Sequence, residues 1–82
     1  MIKEELMETL EENECLLADG FNEALIGVRM SNTPVAVYSY IKCIEILMRD
    51  MQEEEAMEYF DYNILCAYVG EKTPIFIELL SH

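Results

Sequence analysis

Between Gln52 and Pro74 the positions Ala56, Tyr59, Phe60, Ile64 and Ala67, with Asn63 among them, recur at intervals of three and four. That spacing lines side chains along one face of an α-helix, and it makes this the central helix of the chain. Glu53, Glu54 and Glu55 fill its first turn, where unpaired N–H groups favour each negative charge by about 0.3 to 1 kcal/mol. Gly70 is suited to closing the helix in a left-handed conformation, and Pro74 blocks its resumption. Asp50 and Gln52 are alternative caps: Asp50 places Glu53 in the capping-box position, and Gln52 places Glu55 there, although Gln caps poorly.

The remaining segments read as partners for that helix. From Ile2 to about Leu17, Ile2, Leu6, Leu10 and Leu17 share one helical face with Asn13, while Glu4, Glu5, Glu8, Glu11 and Glu12 occupy the other. This predicts an amphipathic acidic helix, broken by Asp19 and Gly20, or a terminal arm that orders on a neighbour. Ala24 to Met30 alternates with period two and is rich in branched residues, which predicts a strand. Ser31 to Pro34 supplies turn chemistry and Val35 to Tyr38 resumes the β pattern, giving an antiparallel hairpin with both faces largely covered. Gly27 in mid-strand suggests the close approach of a helix or another backbone. Ser39 is placed to cap a helix running to about Arg49, with Ile41, Ile44, Leu47 and Met48 as its inward stripe. Ile75 to Ile77, with Leu79 and Leu80, reads as a third strand returning to the hairpin. The expected fold is α+β in the order α-β-β-α-α-β, a small antiparallel sheet of about three strands covered on one face by two or three helices.

With 82 residues the chain reads as one domain, and a globule of this size buries only a little over ~60% of the surface its unfolded chain exposes. The margin for stability is thin, and the 52% hydrophobic content with its six methionines suggests apolar surface left over for a homo-oligomer or a partner. Charge changes the picture further. Seventeen acidic residues against five basic ones give a formal net charge of -12, which repels phosphate backbones and anionic lipid, so direct nucleic-acid or membrane binding is not expected. The same charge attracts a basic protein surface, and it also serves solubility. No stretch approaches the ~20 apolar residues of a membrane span, and the charged N-terminal residues contain no signal-length apolar run, so a cytoplasmic location is expected.

Little in the chain points to catalysis, a metal or a cofactor. Cys15, Cys43 and Cys66 are odd in number and widely separated, so they read as small buried hydrophobes instead of a disulfide framework or zinc site. His82 is terminal, and a lone terminal imidazole is a poor base or ligand. Cys66 lies near Tyr59 and Tyr62 but has no histidine to form a thiolate. The run Glu53, Glu54, Glu55, Glu58 lacks the glycine and alternating ligands of a calcium loop and reads as a solvated helix face. Asn63, on the inward stripe, needs partners for its amide. It either ties the helix to a neighbouring strand or loop, such as Glu71 to Thr73, or serves as a polar hot spot in a docking surface.

The segments DGFNEALIG at 19–27, VYSYIKCIEILM at 37–48 and EEEAMEYFDYNILCAYVGEKTPIF at 53–76 together resemble a family of short proteins that recurs in bacteriophage genomes and in bacteria. The resemblance covers roughly residues 18–77, and EYFDYN and AYVGEKTP are its most specific pieces. It implies a small cytoplasmic protein, often phage-encoded, and carries no activity with it. The chain departs at Gln52, where the family usually has Ser or Thr, and the acidic N-terminal segment lies outside the match.

Two classes of function follow. The first is a non-catalytic protein-binding module, a phage-encoded inhibitor or modulator of a host protein. Its expected contacts are Glu4, Glu8, Glu11 and Glu12 on the first helix, with Glu53, Glu54, Glu58, Tyr62 and Asn63 on the central one. The second is a small enzyme or ligand-binding protein whose site forms between subunits. The lack of a titratable constellation favours the first, and ionic strength separates them, because charge-led binding weakens with salt.

Overall fold

The computed structural model describes residues 2–18, 20–65 and 70–80. Its elements follow the expected order: helix α1 (Ile2–Glu12), strand β1 (Leu25–Arg29), strand β2 (Val35–Ser39), helix α2 (Tyr40–Leu47), helix α3 (Glu53–Phe60) and strand β3 (Ile75–Ile77). A 3₁₀ turn at Asn22–Ala24 leads into β1, and a π-helical turn at Asp61–Leu65 prolongs α3. The fold is α+β, with a three-stranded sheet in the order β1-β2-β3.

The sheet is mixed, not wholly antiparallel as the sequence suggested. β1 pairs antiparallel with β2 through the turn at 30–34, but β3 runs parallel to β2, with Val37 opposite Ile75 and Ser39 opposite Ile77. The reason lies in the connection: a parallel neighbour requires a long crossover, and the chain between Ser39 and Ile75 supplies one through α2, α3 and the π-turn. β2 is thereby the central strand, buried at four of its five positions, whereas β1 is an edge. The hairpin faces, expected to be largely covered, are so along β2 but less along β1, where Ile26 remains exposed. Gly27 marks a bulge between Leu25 and Gly27, and a Cβ added there would meet nothing within 4 Å. An interruption of the ladder, not a close neighbour, is therefore what this glycine accompanies.

Ser39 ends β2 and begins α2 in the same residue. Its backbone stays extended while its hydroxyl accepts a hydrogen bond from the Lys42 amide at 3.2 Å, the expected N-cap. α2 then presents Tyr40, Cys43, Ile44 and Leu47 to the interior, a stripe rotated from the predicted one, and Ile41 and Met48 are left exposed. At α3 the N-cap is Gln52, whose side chain makes no capping bond. The helix start relies instead on the Ala56 amide donating to the Gln52 carbonyl at 2.8 Å and on its three first-turn glutamates.

The core is a ring cluster seated among alanines. Phe60, fully buried, meets Phe76 at 4.9 Å, Tyr40 at 5.4 Å and Phe21 at 6.0 Å between ring centroids, all edge to face. Ala24, Ala36 and Ala56 are all 0% exposed, which is what lets the flanking backbones close around so many rings. Tyr38 stacks on Phe76 at 5.5 Å, and its buried phenol accepts from the Ala18 amide at 2.8 Å, tying the α1–β1 linker to the sheet. Buried Cys43 is a core hydrophobe as expected, its thiol pushed up to about 12 by burial. Cys15 is only half-buried and donates to the Pro34 carbonyl at 2.9 Å. Cys66, Ala67 and His82 lie outside the described residues.

α1 is shorter than predicted. Glu14 adopts φ 54°, its amide donates to Glu11 O, and the Cys15 amide donates to Leu10 O. That pair of bonds with one left-handed residue is the Schellman closure, here formed without glycine. Leu16 and Leu17 are exposed in consequence, while Leu10, at 1% exposure, docks the helix on the core. The ammonium of Lys72 donates to the Asn13 carbonyl. A cation from the loop before β3 thus neutralises the negative end of α1, whose own last turn carries no basic residue.

Candidate protein-binding surface

The expected contact residues are all on the surface. Glu4, Glu8, Glu11 and Glu12 are exposed on α1, and Glu53, Glu54 and Glu58 on α3. α1 packs beside β1 and α3 on α2, so the two acidic stripes belong to different parts of the fold. Between Glu5 and Glu12 the spacing of four and three keeps Glu8 and Glu11 on one side of α1, clear of Leu10.

Asn63 does not face inward. It is exposed, and its side-chain amide donates to the Tyr59 carbonyl at 3.0 Å, one turn earlier in the same helix. It therefore does not tie α3 to the loop at Glu71 to Thr73, where Thr73 instead bonds Gly70 O through both its amide and its hydroxyl. Tyr59, also assigned inward from the sequence, is 46% exposed. The buried line along the helix is Ala56, Phe60 and the half-buried Ile64, a strict spacing of four, and the π-turn that follows alters the helical phase at Tyr62 and Asn63.

What the structure brings together is a groove along α3. Glu55, Glu58, Tyr59 and Tyr62 stand at i, i+3, i+4 and i+7, and with Met51 and Asn63 they line a depression of about 350 Å³. Tyr62 is 83% exposed, and no described hydrogen bond involves the phenol of either tyrosine. A second cavity of about 390 Å³ continues from it across Met51, Tyr59 and Asn63 to Asp50, Leu47 and Phe21. The surface thus combines two accessible aromatic faces, a methionine and a row of carboxylates. Such a site suits a cationic side chain, whose charge the rings and carboxylates both attract. On the neighbouring side, the phenol of Tyr40 is pushed up by burial first and then by the charges of Asp61 and Glu78, a sign of the negative field around α3.

Glu58, Tyr62 and Asn63 are contacts that the sequence leads one to expect, whereas Met51, Glu55 and Tyr59 enter the groove only in the folded chain. The signal for the groove was present in the i, i+3, i+4, i+7 spacing of Glu55, Glu58, Tyr59 and Tyr62, but assigning Tyr59 to the core concealed it. Among the described residues, no group of three or more His, Cys, Asp or Glu is arranged to hold a metal ion, and no helix is long and apolar enough to cross a membrane. Compared with known proteins, the chain matches no family model, no curated protein and no solved structure.

Proposed function

We propose that this chain is a non-catalytic protein-binding module that occupies a basic surface on another protein, and that it acts as a phage-encoded inhibitor or modulator of a host protein in the host cytoplasm. The observation that carries the reading is the α3 groove, where Tyr59 and Tyr62, 46% and 83% exposed, lie along one helical stripe with Glu55 and Glu58. Tyrosine and methionine are favoured anchors at protein interfaces, and clustered carboxylates steer a basic partner toward them. The stripe Glu4, Glu8, Glu11 and Glu12 on α1 adds to the long-range field. The phage origin rests on the sequence resemblance alone.

The test begins with affinity capture from the native host to obtain the partner. Reversal of Glu53, Glu54 and Glu58 to Lys is then expected to slow association roughly 10-fold or more at low salt, with the deficit shrinking as salt rises. The fold is expected to survive, because all three side chains are exposed. A folded triple variant that associates at an unchanged rate at every ionic strength would refute steering by this face and leave the acidic residues to solubility.

A further inference from the structure

The chain carries a net charge of -12, yet no Asp or Glu occurs between Glu23 and Glu45. That interval forms the hairpin, the cap and the first half of α2, and it borders a cavity of about 490 Å³ lined by Ile26, Ser39, Ile41 and Leu79 with Glu23, Lys42 and Glu45 at its rim. Both rim carboxylates already have cations. Arg49 forks onto Glu23 with its two terminal nitrogens at 2.8 and 3.3 Å, and Lys42 lies 3.6 Å from Glu45. This face is therefore locally neutral on a strongly anionic molecule.

It is also apolar beyond the needs of one copy. Ile26, Ile41 and Leu79 are each close to 40% exposed. Ile41 and Glu45 are shared with an adjoining cavity of about 360 Å³ that reaches Met48 and Met57, with Glu53 and Glu78 at its far side. Ile41 and Met48 belong to the hydrophobic stripe of α2 that the monomer's core leaves unused.

We infer that this face is where a second copy of the chain docks, α2 against α2, across a two-fold axis. The occupant follows from charge. Two copies at -12 repel each other wherever carboxylates are in excess, so close approach favours the part of this face around Ile41 and Leu79, where Glu23 and Glu45 are paired, and leaves Glu53 and Glu78 at its margin. Lys42 and Glu45 are one helical turn apart, so antiparallel α2 helices set Lys42 of each copy against Glu45 of the partner subunit, the reciprocal contact that a two-fold interface requires. Ile41 and Leu79 fill the centre, and the exposed β1 edge with Ile26 lies beside them. This surface is separate from the α3 groove, and its dependence on salt has the opposite sign: screening strengthens association between like-charged copies and weakens binding to a basic partner.

Sedimentation equilibrium of the full chain at graded concentration and salt tests the inference. A monomer–dimer equilibrium of the 9.5 kDa chain that tightens as salt rises is expected. Ile41→Lys is expected to raise the dimer dissociation constant about 30-fold or more, as for a central anchor. Lys42→Glu and Glu45→Lys are each expected to weaken self-association and to associate again when mixed. Their side chains are 57% and 58% exposed, so these two variants retain the fold even if Ile41→Lys does not, with circular dichroism as the check. A monomer at every concentration and salt overturns the inference. So does a dimer indifferent to a folded Ile41→Lys, or a mixture of the two charge variants that associates no better than either alone.

Discussion

Phe60, fully buried, packs its ring against Phe21, Tyr40 and Phe76 from three other parts of the fold, and Phe60→Leu isolates what that ring contributes. The three edge-to-face contacts, to Phe76, Tyr40 and Phe21 at 4.9, 5.4 and 6.0 Å, are each worth about 0.5 to 1.5 kcal/mol beyond the area they bury. Leucine keeps most of the apolar burial, and its poorer fit costs less than ~1.5 kcal/mol. The ring contacts alone put the expected loss at about 1.5 to 4.5 kcal/mol. A domain of 82 residues at ~0.05 to 0.15 kcal/mol per residue holds only about 4 to 12 kcal/mol in total, so the variant is expected to fold but with a large drop in urea midpoint. Urea unfolding followed by circular dichroism measures the loss, and a double-mutant cycle with Phe76→Leu should return a coupling of about 0.5 to 1.5 kcal/mol. A loss below about 0.5 kcal/mol with no coupling would show that the ring cluster does not join α3 to the sheet in the way described.

Two further perturbations probe the ends of the argument. Glu14→Gly is expected to raise stability by up to about 1 kcal/mol in urea unfolding, since Glu14 holds φ 54° where glycine carries no Cβ penalty. Glu14→Gln, which removes only the charge, should not reproduce the gain. Alkaline pH probes the core: burial pushes the Cys43 thiol to about 12, and burial, opposed by the Ala18 amide and aided by Cys43, pushes the Tyr38 phenol up. Both neutral forms are favoured in the folded state, so their contribution is complete below the ordinary thiol range and is lost as pH climbs from about 9 toward 12. Urea midpoints should fall across that window, with a flatter fall in Cys43→Ala; an equal slope in the variant would contradict the assignment.

Order and type of the elements were legible in the chain because each is locally signalled. Ser39 caps α2 as its position implies, the alternation around β1 and β2 is a strand pattern, and the glutamates of Glu53 to Glu55 mark the start of α3. The acidic stripes were equally legible, since helical spacing alone separates carboxylates from Leu10, Ala56 and Phe60. Tertiary structure decided what depends on where the chain returns. The parallel placement of β3 follows from the length and direction of the α2–α3 crossover, which no local pattern encodes. The rotation of α2 depends on which of several apolar side chains its neighbours receive; Cys43 fits beside Phe60 and Tyr38, and Ile41 is left outside. Glu14 closes α1 early because the chain must turn there to bring Leu10 into the core and the Ala18 amide to Tyr38. Asn63 departs from its expected inward position because periodicity ranks faces only while the helix stays α, and the π-turn after Phe60 breaks that premise. Tyr59 precedes that turn and stays outside because the buried line is narrow, running Ala56, Phe60 and Ile64 at a spacing of four. The groove and the neutral face arise from these tertiary choices, since each consists of side chains that the core had no room to take.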